Sequence, residues 1–253
     1  MSFFQCNFYS NCLQKMTQVN VVFPARKAIG QIGQQAAAAW ERPPVLYLLH
    51  GLSDDNTIWM RRTVVERYAE AKGLAVVMPD GGRSFYCNLP SGERYFDFIS
   101  QELPELIEGS FQVDTIPQKR YIAGLSMGGF GTLKAALRCP GKFAAAACFS
   151  GAFGSSWLKE YDPGLYKADF QTDPAAEEED VFGLLERYPK DAPKPRLFIA
   201  CGEKDERFFN VNRRFYEEAK AKGFDAIWDQ ADYNHEWPFW DREIQKAIPW
   251  MLQ

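Results

Sequence analysis

Histidine is scarce in this sequence: His50 and His235 are the only two among 253 residues. Neither an HExxH motif nor another clustered ligand pattern is present, so we do not expect a metal site built from histidines. No metal ion and no cofactor is predicted. The scarcity also means that any mechanism needing a histidine base has only two candidates.

Cysteines are few and follow no recognisable pattern. The six cysteines occur without a CxxC pair, and several lie in apolar segments where a thiol behaves as a small core residue. We therefore interpret all of them as reduced structural thiols.

Long apolar runs and an excess of positive charge are also absent. The longest strongly apolar runs, 45–49 and 143–149, are far shorter than the roughly 20 residues of a membrane helix. With 29 basic against 33 acidic residues, the net charge is −4, which offers no basic surface to nucleic acid. The N-terminus lacks the features of a secretory leader. We predict a cytoplasmic protein with no membrane or nucleic-acid partner.

The composition that remains is that of a globular protein. Apolar residues make up 46% of the chain and aromatic residues 15%, which excludes a disordered or fibrous chain. A length of 253 residues fits one large domain better than two small ones. We therefore predict a single domain over residues 1–253.

The order of predicted elements indicates an α/β fold. Residues 3–23 are rich in β-branched and aromatic residues and predict antiparallel strands, and residues 34–40 a connecting loop. Apolar runs then alternate with helical patterns. Strands are predicted at 45–49, 74–78, 121–123, 143–149, 196–201 and 225–228, and helices at 57–72, 96–107, 130–138, 208–222 and 239–252. This alternation predicts a mostly parallel central sheet, antiparallel N-terminal strands and helices on both faces.

Residues 151–191 interrupt this alternation with glycines, aromatics and a charge run. We interpret them as an insertion over the sheet, a lid or cap. The acidic run at 177–180 follows Asp173 and Pro174. Aspartate suits a helix N-cap, proline the first turn, and acids the positive end of a helix, so the run predicts a helix rather than a functional site.

Residues 124–128 read Gly-Leu-Ser-Met-Gly and match the GxSxG motif. A predicted strand enters the motif and a predicted helix leaves it, which is the context the motif requires. Such a turn holds Ser126 in a strained conformation, and its glycines avoid Cβ collisions. Free N–H groups at the helix start suit a developing negative charge. Ser126 is the predicted nucleophile; the alternative is a glycine-rich turn with an incidental serine.

A serine hydroxyl needs a base, and His235 is the better of the two candidates. It lies between the last predicted strand and the last helix, downstream of the serine. His50 instead ends an early strand, where the following loop supplies an oxyanion donor through its backbone. The N–H groups of Leu52 and Met127 are accordingly the predicted oxyanion hole.

The imidazole needs a carboxylate that lies between the serine and the histidine in chain order. Asp205, in the loop after the strand predicted at 196–201, fits best. Glu203 and Glu206 are its neighbours in the same loop. Asp232 is closer to His235 in sequence, but a residue in the same short loop is poorly placed to support the imidazole.

Further motifs accompany the serine, the acid and the histidine. They are Tyr-Leu-Leu-His-Gly-Leu at 47–52, Trp59, Met-Pro-Asp-Gly at 78–81, Ser-Phe-Tyr at 84–86 and His-Glu-Trp at 235–237. Over nearly the whole chain the sequence resembles the esterase D family of α/β-hydrolases. Segments 83–86 and 102–104 are most similar to its bacterial tributyrin-esterase and feruloyl-esterase-like branch. The resemblance implies the α/β-hydrolase fold and a triad of Ser126, Asp205 and His235.

Motifs and resemblance together predict a cofactor-free serine carboxylesterase that acts on small-molecule esters through an acyl-enzyme. Short-chain acyl esters are favoured, with aryl or feruloyl esters as a wider class. Trp157 and Phe153, with Tyr161, are candidate walls of the substrate pocket, although core packing is the commoner role of such aromatics. Exposed apolar patches on relatives suggest self-association into a homo-oligomer.

Three alternative functions stay open. The S-formylglutathione hydrolases of the family usually carry a cysteine soon after the first oxyanion glycine, whereas residues 51–56 read Gly-Leu-Ser-Asp-Asp-Asn. An acyltransferase of the same fold would pass the acyl group to an alcohol. A non-catalytic binding module would bind without turnover, but the intact set of serine, acid and histidine argues against it.

Overall fold

The computed structural model describes residues 1–25, 41–153 and 155–253. The strands of this part of the chain lie in one 8-stranded sheet. They are β1 (Ser2–Ser10), β2 (Lys15–Phe23), β3 (Val45–Leu49), β4 (Ala75–Pro79), β5 (Arg120–Leu125), β6 (Ala145–Phe149), β7 (Arg196–Gly202) and β8 (Ala226–Ala231). The connecting loop predicted at 34–40 lies outside the described residues.

The sheet confirms the predicted α/β architecture. Its order is β1-β2-β4-β3-β5-β6-β7-β8. β1 pairs with β2, and β2 with β4, in antiparallel fashion, whereas the other neighbours pair in parallel. β3 to β6 consist entirely of buried residues, as expected for strands covered on both faces. Because β3 to β8 are parallel, their carboxyl ends share one edge, where ligands bind in sheets of this type.

Helices cover both faces of the sheet, as predicted. They are α1 (Ile58–Arg62), α2 (Val65–Glu70), α3 (Tyr95–Asp97), α4 (Leu103–Ser110), α5 (Met127–Arg138), α6 (Ser155–Tyr161), α7 (Pro163–Phe170), α8 (Asp173–Glu179), α9 (Val181–Glu186), α10 (Phe209–Ala221) and α11 (Trp237–Met251), with a π-helical turn (Phe98–Glu102) between α3 and α4 and a 3-10 turn (Pro117–Lys119) before β5. Leu133 of α5 and Phe215 of α10 belong to one core. Val65 of α2 and Ile244 of α11 belong to the core on the opposite face. Of the helices in the described ranges, none is long and apolar enough to cross a bilayer.

The single helix predicted over residues 57–72 is wrong, because α1 ends before Thr63 and α2 begins at Val65. Thr63 has an extended backbone, with φ −134° and ψ 174°. Its hydroxyl donates to the Trp59 carbonyl at 2.6 Å and accepts from the Val65 N–H at 3.1 Å. A side chain that bonds the local backbone in this way competes with the regular helix and interrupts it.

The segment 151–191 contains α6 to α9 and is attached to α5. The acidic run at 177–180 lies mostly in α8, as predicted, but the N-cap is Thr172 rather than Asp173. Glu179, near the end of this run, forms an ion pair with Lys134, a fully buried side chain of α5. It also lies 3.2 Å from a guanidinium nitrogen of Arg138. That the segment is a lid or cap within a single domain stays a prediction.

All six cysteines are free thiols, in agreement with the structural role predicted for them. Burial raises the pKa of the Cys87 thiol to about 11, although the Lys134 Nζ lies 3.0 Å from its sulfur. Burial also raises the pKa of Cys148 and Cys201. Thiols held protonated in this way are poor nucleophiles.

Candidate active site

Ser126 lies at the turn between β5 and α5, at the carboxyl edge of the sheet. Its φ of 51° and ψ of −116° put a residue with a Cβ in a strained region of backbone space. Three backbone hydrogen bonds hold it there. Its N–H donates to the Phe149 carbonyl at 2.9 Å, and its carbonyl accepts from the N–H groups of Phe130 and Ala152 at 3.0 and 3.1 Å. This is the strand-to-helix geometry of a nucleophile elbow.

Both glycines of the motif are required by close backbone contacts. A Cβ on Gly124 would lie 2.4 Å from the Gly128 carbonyl oxygen. A Cβ on Gly128 would lie 2.6 Å from the carbonyl oxygens of Leu49 and His50. Only glycine at both positions lets α5 start this close to the ends of β3 and β5.

Asp205 and His235 form a hydrogen-bonded pair across two loops. Asp205 follows β7 and His235 follows β8, and the Asp205 Oδ2 lies 2.7 Å from the His235 Nδ1. The Asp205 Oδ1 accepts from the Phe208 N–H at 3.1 Å, and the Cys201 thiol lies 3.6 Å from Oδ2. These contacts fix the carboxylate, which is only 4% exposed. The imidazole therefore has one nitrogen committed to Asp205 and the other available.

Two aromatic rings lie close to the His235 imidazole. Its ring centroid lies 5.1 Å from that of Phe208 and 4.9 Å from that of Trp240. Trp240 is itself anchored by a hydrogen bond from its indole N–H to the Ser150 hydroxyl at 3.2 Å. The imidazole side chain remains 31% exposed, so it is oriented by its neighbours and still open to solvent.

Ser126 and His235 line the same cleft, which has a volume of about 700 Å³. Leu52 and two of the predicted pocket aromatics, Trp157 and Tyr161, also line it. Phe153 does not reach this cleft. It is 2% exposed and packs against Phe182 and Phe215, so its position corrects the prediction that it walls the pocket.

The two predicted oxyanion donors belong to two different segments of the chain near the cleft. Met127 is the first residue of α5, where a backbone N–H has no acceptor within the helix. Leu52 lies in the loop that follows β3 and lines the cleft. Within the described residues, neither N–H donates a hydrogen bond to another protein group.

Comparison with known proteins identifies the family. Residues 11–251 match the model of the Esterase family. The chain belongs to this family of α/β-hydrolases. An acetyl esterase from Caldicellulosiruptor saccharolyticus is 27% identical over 99% of this chain and 98% of its own.

Two solved structures from Staphylococcus aureus are similar over the full length. FphF, described as a fluorophosphonate-binding serine hydrolase with substrate bound, has a TM-score of 0.88 and 30% identity, covering 100% of this chain and 98% of its own. The S-formylglutathione hydrolase FrmB has a TM-score of 0.86 and 29% identity, covering 100% and 99%. The resemblance to esterase D enzymes is thereby confirmed, and so is the α/β-hydrolase fold.

His50 has a structural role in this esterase-family chain. Its side chain is 1% exposed. Its Nε2 accepts from the Gly81 N–H at 2.8 Å, and its Nδ1 lies 2.7 Å from the Gly51 carbonyl oxygen. A neutral imidazole with its proton on Nδ1 satisfies both contacts. His50 thus joins the loop after β3 to the loop after β4 and has no nitrogen left for the cleft.

The other acids considered for the Asp205 position lie on the surface. Asp232 pairs with Lys204 at 2.8 Å and is 72% exposed. Glu203 accepts from the Gln230 side chain at 2.7 Å. Neither bonds the imidazole.

Several charged and aromatic residues of the cleft were not predicted from the sequence. They are Asp54, Arg83, Arg207, Glu236, Trp237 and Trp240. All lie in loops or helix starts that follow a parallel strand, so their position at the carboxyl edge was the available signal. Burial raises the pKa of the Asp54 carboxyl. Within the described residues, no three His, Cys, Asp or Glu side chains are grouped to hold a metal ion.

Proposed function

We propose that this member of the Esterase family is a serine carboxylesterase with Ser126 as nucleophile, His235 as general base and Asp205 as the orienting acid. The observation that carries the proposal is the 2.7 Å hydrogen bond between Asp205 and His235, in the cleft that strained Ser126 also lines. A base that a third group orients, in the same cleft as a serine hydroxyl, is the arrangement that activates serine.

The proposed reaction has two steps. His235 takes the Ser126 proton as the hydroxyl attacks the ester carbonyl, and then gives it to the leaving alcohol. Water deprotonated by the same imidazole then releases the acid from the acyl-serine. Asp205 holds the imidazole in the required tautomer and stabilises its charged form.

We propose the N–H groups of Leu52 and Met127 as the donors that stabilise the tetrahedral oxygen. Met127 directly follows Ser126, and Leu52 lines the same cleft. Neither N–H has a protein acceptor within the described residues, which supports this role. Loss of one such donor typically costs about 3–4 kcal/mol in transition-state stabilisation. Because both are main-chain groups, their contribution is tested better by the affinity of an oxyanion-mimicking inhibitor than by side-chain replacement.

Short-chain acyl esters are the proposed substrates. The acetyl esterase among the relatives, which is 27% identical over 99% of this chain, supports this class.

Hydrolysis of nitrophenyl acetate and nitrophenyl butyrate tests the proposal, with Ser126→Ala as the matched variant. We expect turnover by the wild-type protein and loss of at least about 10³-fold in the variant. Equal rates for the two proteins would contradict the assignment of Ser126. A panel from acetate to feruloyl esters then ranks acyl groups, and we expect acetate or butyrate to be preferred.

The alternatives are separated by their products. An acyltransferase would yield more alcohol ester than free acid when a sugar alcohol is added. A formylglutathione thioesterase would prefer that thioester over nitrophenyl acetate, and the similarity to FrmB supports testing it. A binding module would bind its ligand saturably and would show no turnover.

A further inference from the structure

The cleft carries charge of both signs, and its arginines are not used by the proposed reaction. Its charged lining consists of Asp54, Arg83, Arg207 and Glu236. Arg83 comes from the loop after β4, and Arg207 from the loop after β7. An arginine at a substrate cleft presents up to five N–H donors in a planar fork suited to carboxylates.

Arg207 has no carboxylate partner within the described part of the chain. Its guanidinium lies 5.1 Å from the ring centroid of Tyr161 and 5.9 Å from that of Trp157. Arginines further along, in α10, differ in this respect. Arg213 and Arg214 pair with Glu217 and Glu218 at 2.9 and 2.7 Å. The Arg207 charge is therefore held in place by aromatic rings but is not neutralised by an acid.

Arg83, the second arginine of the cleft, is held by a residue next to Tyr161 in sequence. One of its nitrogens pairs with the Asp162 Oδ2 at 2.8 Å, and Asp162 directly follows Tyr161, the ring beneath Arg207. The Arg83 side chain is still 58% exposed. Since Asp162 offsets the charge of Arg83, the unpaired positive charge of the two arginines is that of Arg207.

Phe208, Trp157, Tyr161 and Arg207 form what we call the cationic wall of the cleft. It begins next to the His235 imidazole. The Phe208 ring lies 5.1 Å from the His235 ring and 5.2 Å from the Trp157 ring, between centroids. His235 must reach the oxygen of the leaving group to protonate it. The leaving alcohol therefore lies next to the imidazole, and the wall leads from there over Phe208 and Trp157 to Arg207.

The acidic residues of the cleft, Asp54 and Glu236, form no ion pair with Arg207 within the described part of the chain. The Glu236 Oε1 already accepts from the Asn234 N–H at 2.9 Å. Glu236 therefore does not neutralise Arg207.

We infer that Arg207 binds an anionic group on the alcohol portion of the ester, so that the preferred substrate has a leaving group bearing a carboxylate. The inference rests on the proposed function and specifies the substrate class of the same cleft. Trp157 and Tyr161 would also contact an aromatic or extended linker between the ester oxygen and the carboxylate.

Two aryl acetates of equal shape test the inference. 4-Carboxyphenyl acetate carries the anion, and 4-carbamoylphenyl acetate is its neutral counterpart. The quantity to compare is kcat/KM for 4-carboxyphenyl acetate divided by kcat/KM for 4-carbamoylphenyl acetate. Each kcat/KM value is first divided by the rate of spontaneous hydrolysis of that ester in the same buffer. We expect Arg207→Gln to lower this ratio about tenfold, the effect of one charge-assisted hydrogen bond.

Arg214→Gln is the matched control, because it removes the same charge from a paired position in α10. It should leave the ratio unchanged. High salt should lower the ratio in the wild-type protein but not in Arg207→Gln.

The outcomes separate the inference from the function on which it rests. An equal ratio in wild-type protein and Arg207→Gln, with both esters turned over, would overturn the inference alone. A wild-type protein that hydrolyses neither ester would contradict the proposed function, and the inference with it.

Discussion

At the scale of single residues, the orientation of His235 is the feature on which the proposed chemistry depends. Asp205 is the only acid bonded to the imidazole among the described residues, and its other oxygen is held by the Phe208 N–H. A carboxylate that accepts from Nδ1 leaves Nε2 as the basic nitrogen. The tautomer needed for a base at Ser126 is thus set by one buried side chain.

Replacement of the Asp205 carboxylate should reduce kcat severely. Asp205→Asn keeps the size of the side chain but favours the wrong tautomer, and we expect kcat for nitrophenyl acetate to fall by about 10⁴-fold. Asp232→Asn, at an exposed acid nearer in sequence to His235, should remain within about twofold of wild type. A loss below tenfold in folded Asp205→Asn would remove Asp205 from the proposed triad.

Which site residues could be predicted from the sequence depends on how local their signals are. Ser126 is marked by its motif, His235 by the scarcity of histidine, and Asp205 by the required chain order. Arg207 and the Lys134 to Glu179 ion pair carry no such local mark. Their partners are distant in sequence, so only the folded chain brings them together.

At the scale of secondary-structure elements, the turn between β5 and α5 depends on glycine for space. The Gly128 Cα lies so close to the end of β3 that an added Cβ would meet two carbonyl oxygens at 2.6 Å. Because these oxygens belong to the main chain at the buried end of β3 and the residue after it, they cannot move aside cheaply.

We expect Gly128→Ala to lower the free energy of unfolding by about 1–3 kcal/mol and to reduce esterase activity. Gly109→Ala, in α4, is the control, because its added Cβ would meet nothing within 4 Å. Alanine there should stabilise the protein by up to about 1 kcal/mol. Urea unfolding of both variants measures the difference, and similar values for the two would contradict the close approach.

Strands were easier to predict than helices. The buried strands of the sheet are continuous apolar runs with few other interpretations, whereas the break between α1 and α2 depends on one threonine hydroxyl that bonds the backbone on both sides. Helical periodicity continues across that break, so a pattern of apolar residues does not reveal it. The Thr172 N-cap of α8 was missed because Asp173 is the more favourable capping residue of the two.

At the scale of the whole molecule, buried carboxyl groups make stability depend on pH. Asp169 of α7 is 5% exposed, and its Oδ2 has no hydrogen-bond partner within the described ranges. Burial raises its pKa to about 7, with Arg83 lowering and Asp162 raising it to smaller extents. The folded protein therefore favours the protonated form of Asp169.

The sign of the effect follows from a folded-state pKa above the unfolded one. The contribution of protonated Asp169 to the free energy of unfolding is fully present below about pH 4 and is lost as the pH rises through about 7. Asp169→Asn cannot ionise, so at about pH 8 it should be more stable than wild type by up to about 4 kcal/mol. The two proteins should converge near pH 4.

Urea unfolding of both proteins at several pH values measures this difference in the free energy of unfolding. A difference between wild type and Asp169→Asn that does not grow with pH would contradict a buried, protonated Asp169.

The parallel sheet explains why distant loops form one cleft. Loops after β3, β5, β7 and β8 supply Leu52, Ser126, Asp205 and His235, all at the edge where the parallel strands end. The sequence order of elements predicts that edge, but it does not predict which loop side chains face inward. Phe153 follows β6 and packs into the core, whereas Trp157, four residues later, lines the cleft.

The mass of the protein during turnover tests the proposed acyl-enzyme on Ser126. Wild-type protein mixed with nitrophenyl acetate and quenched in acid within the first turnovers should carry one acetyl group, located by peptide mapping on Ser126. Ser126→Ala should carry none and release no nitrophenol above background. Turnover without an acetylated Ser126, or with the acetyl group on another side chain, would contradict the central claim.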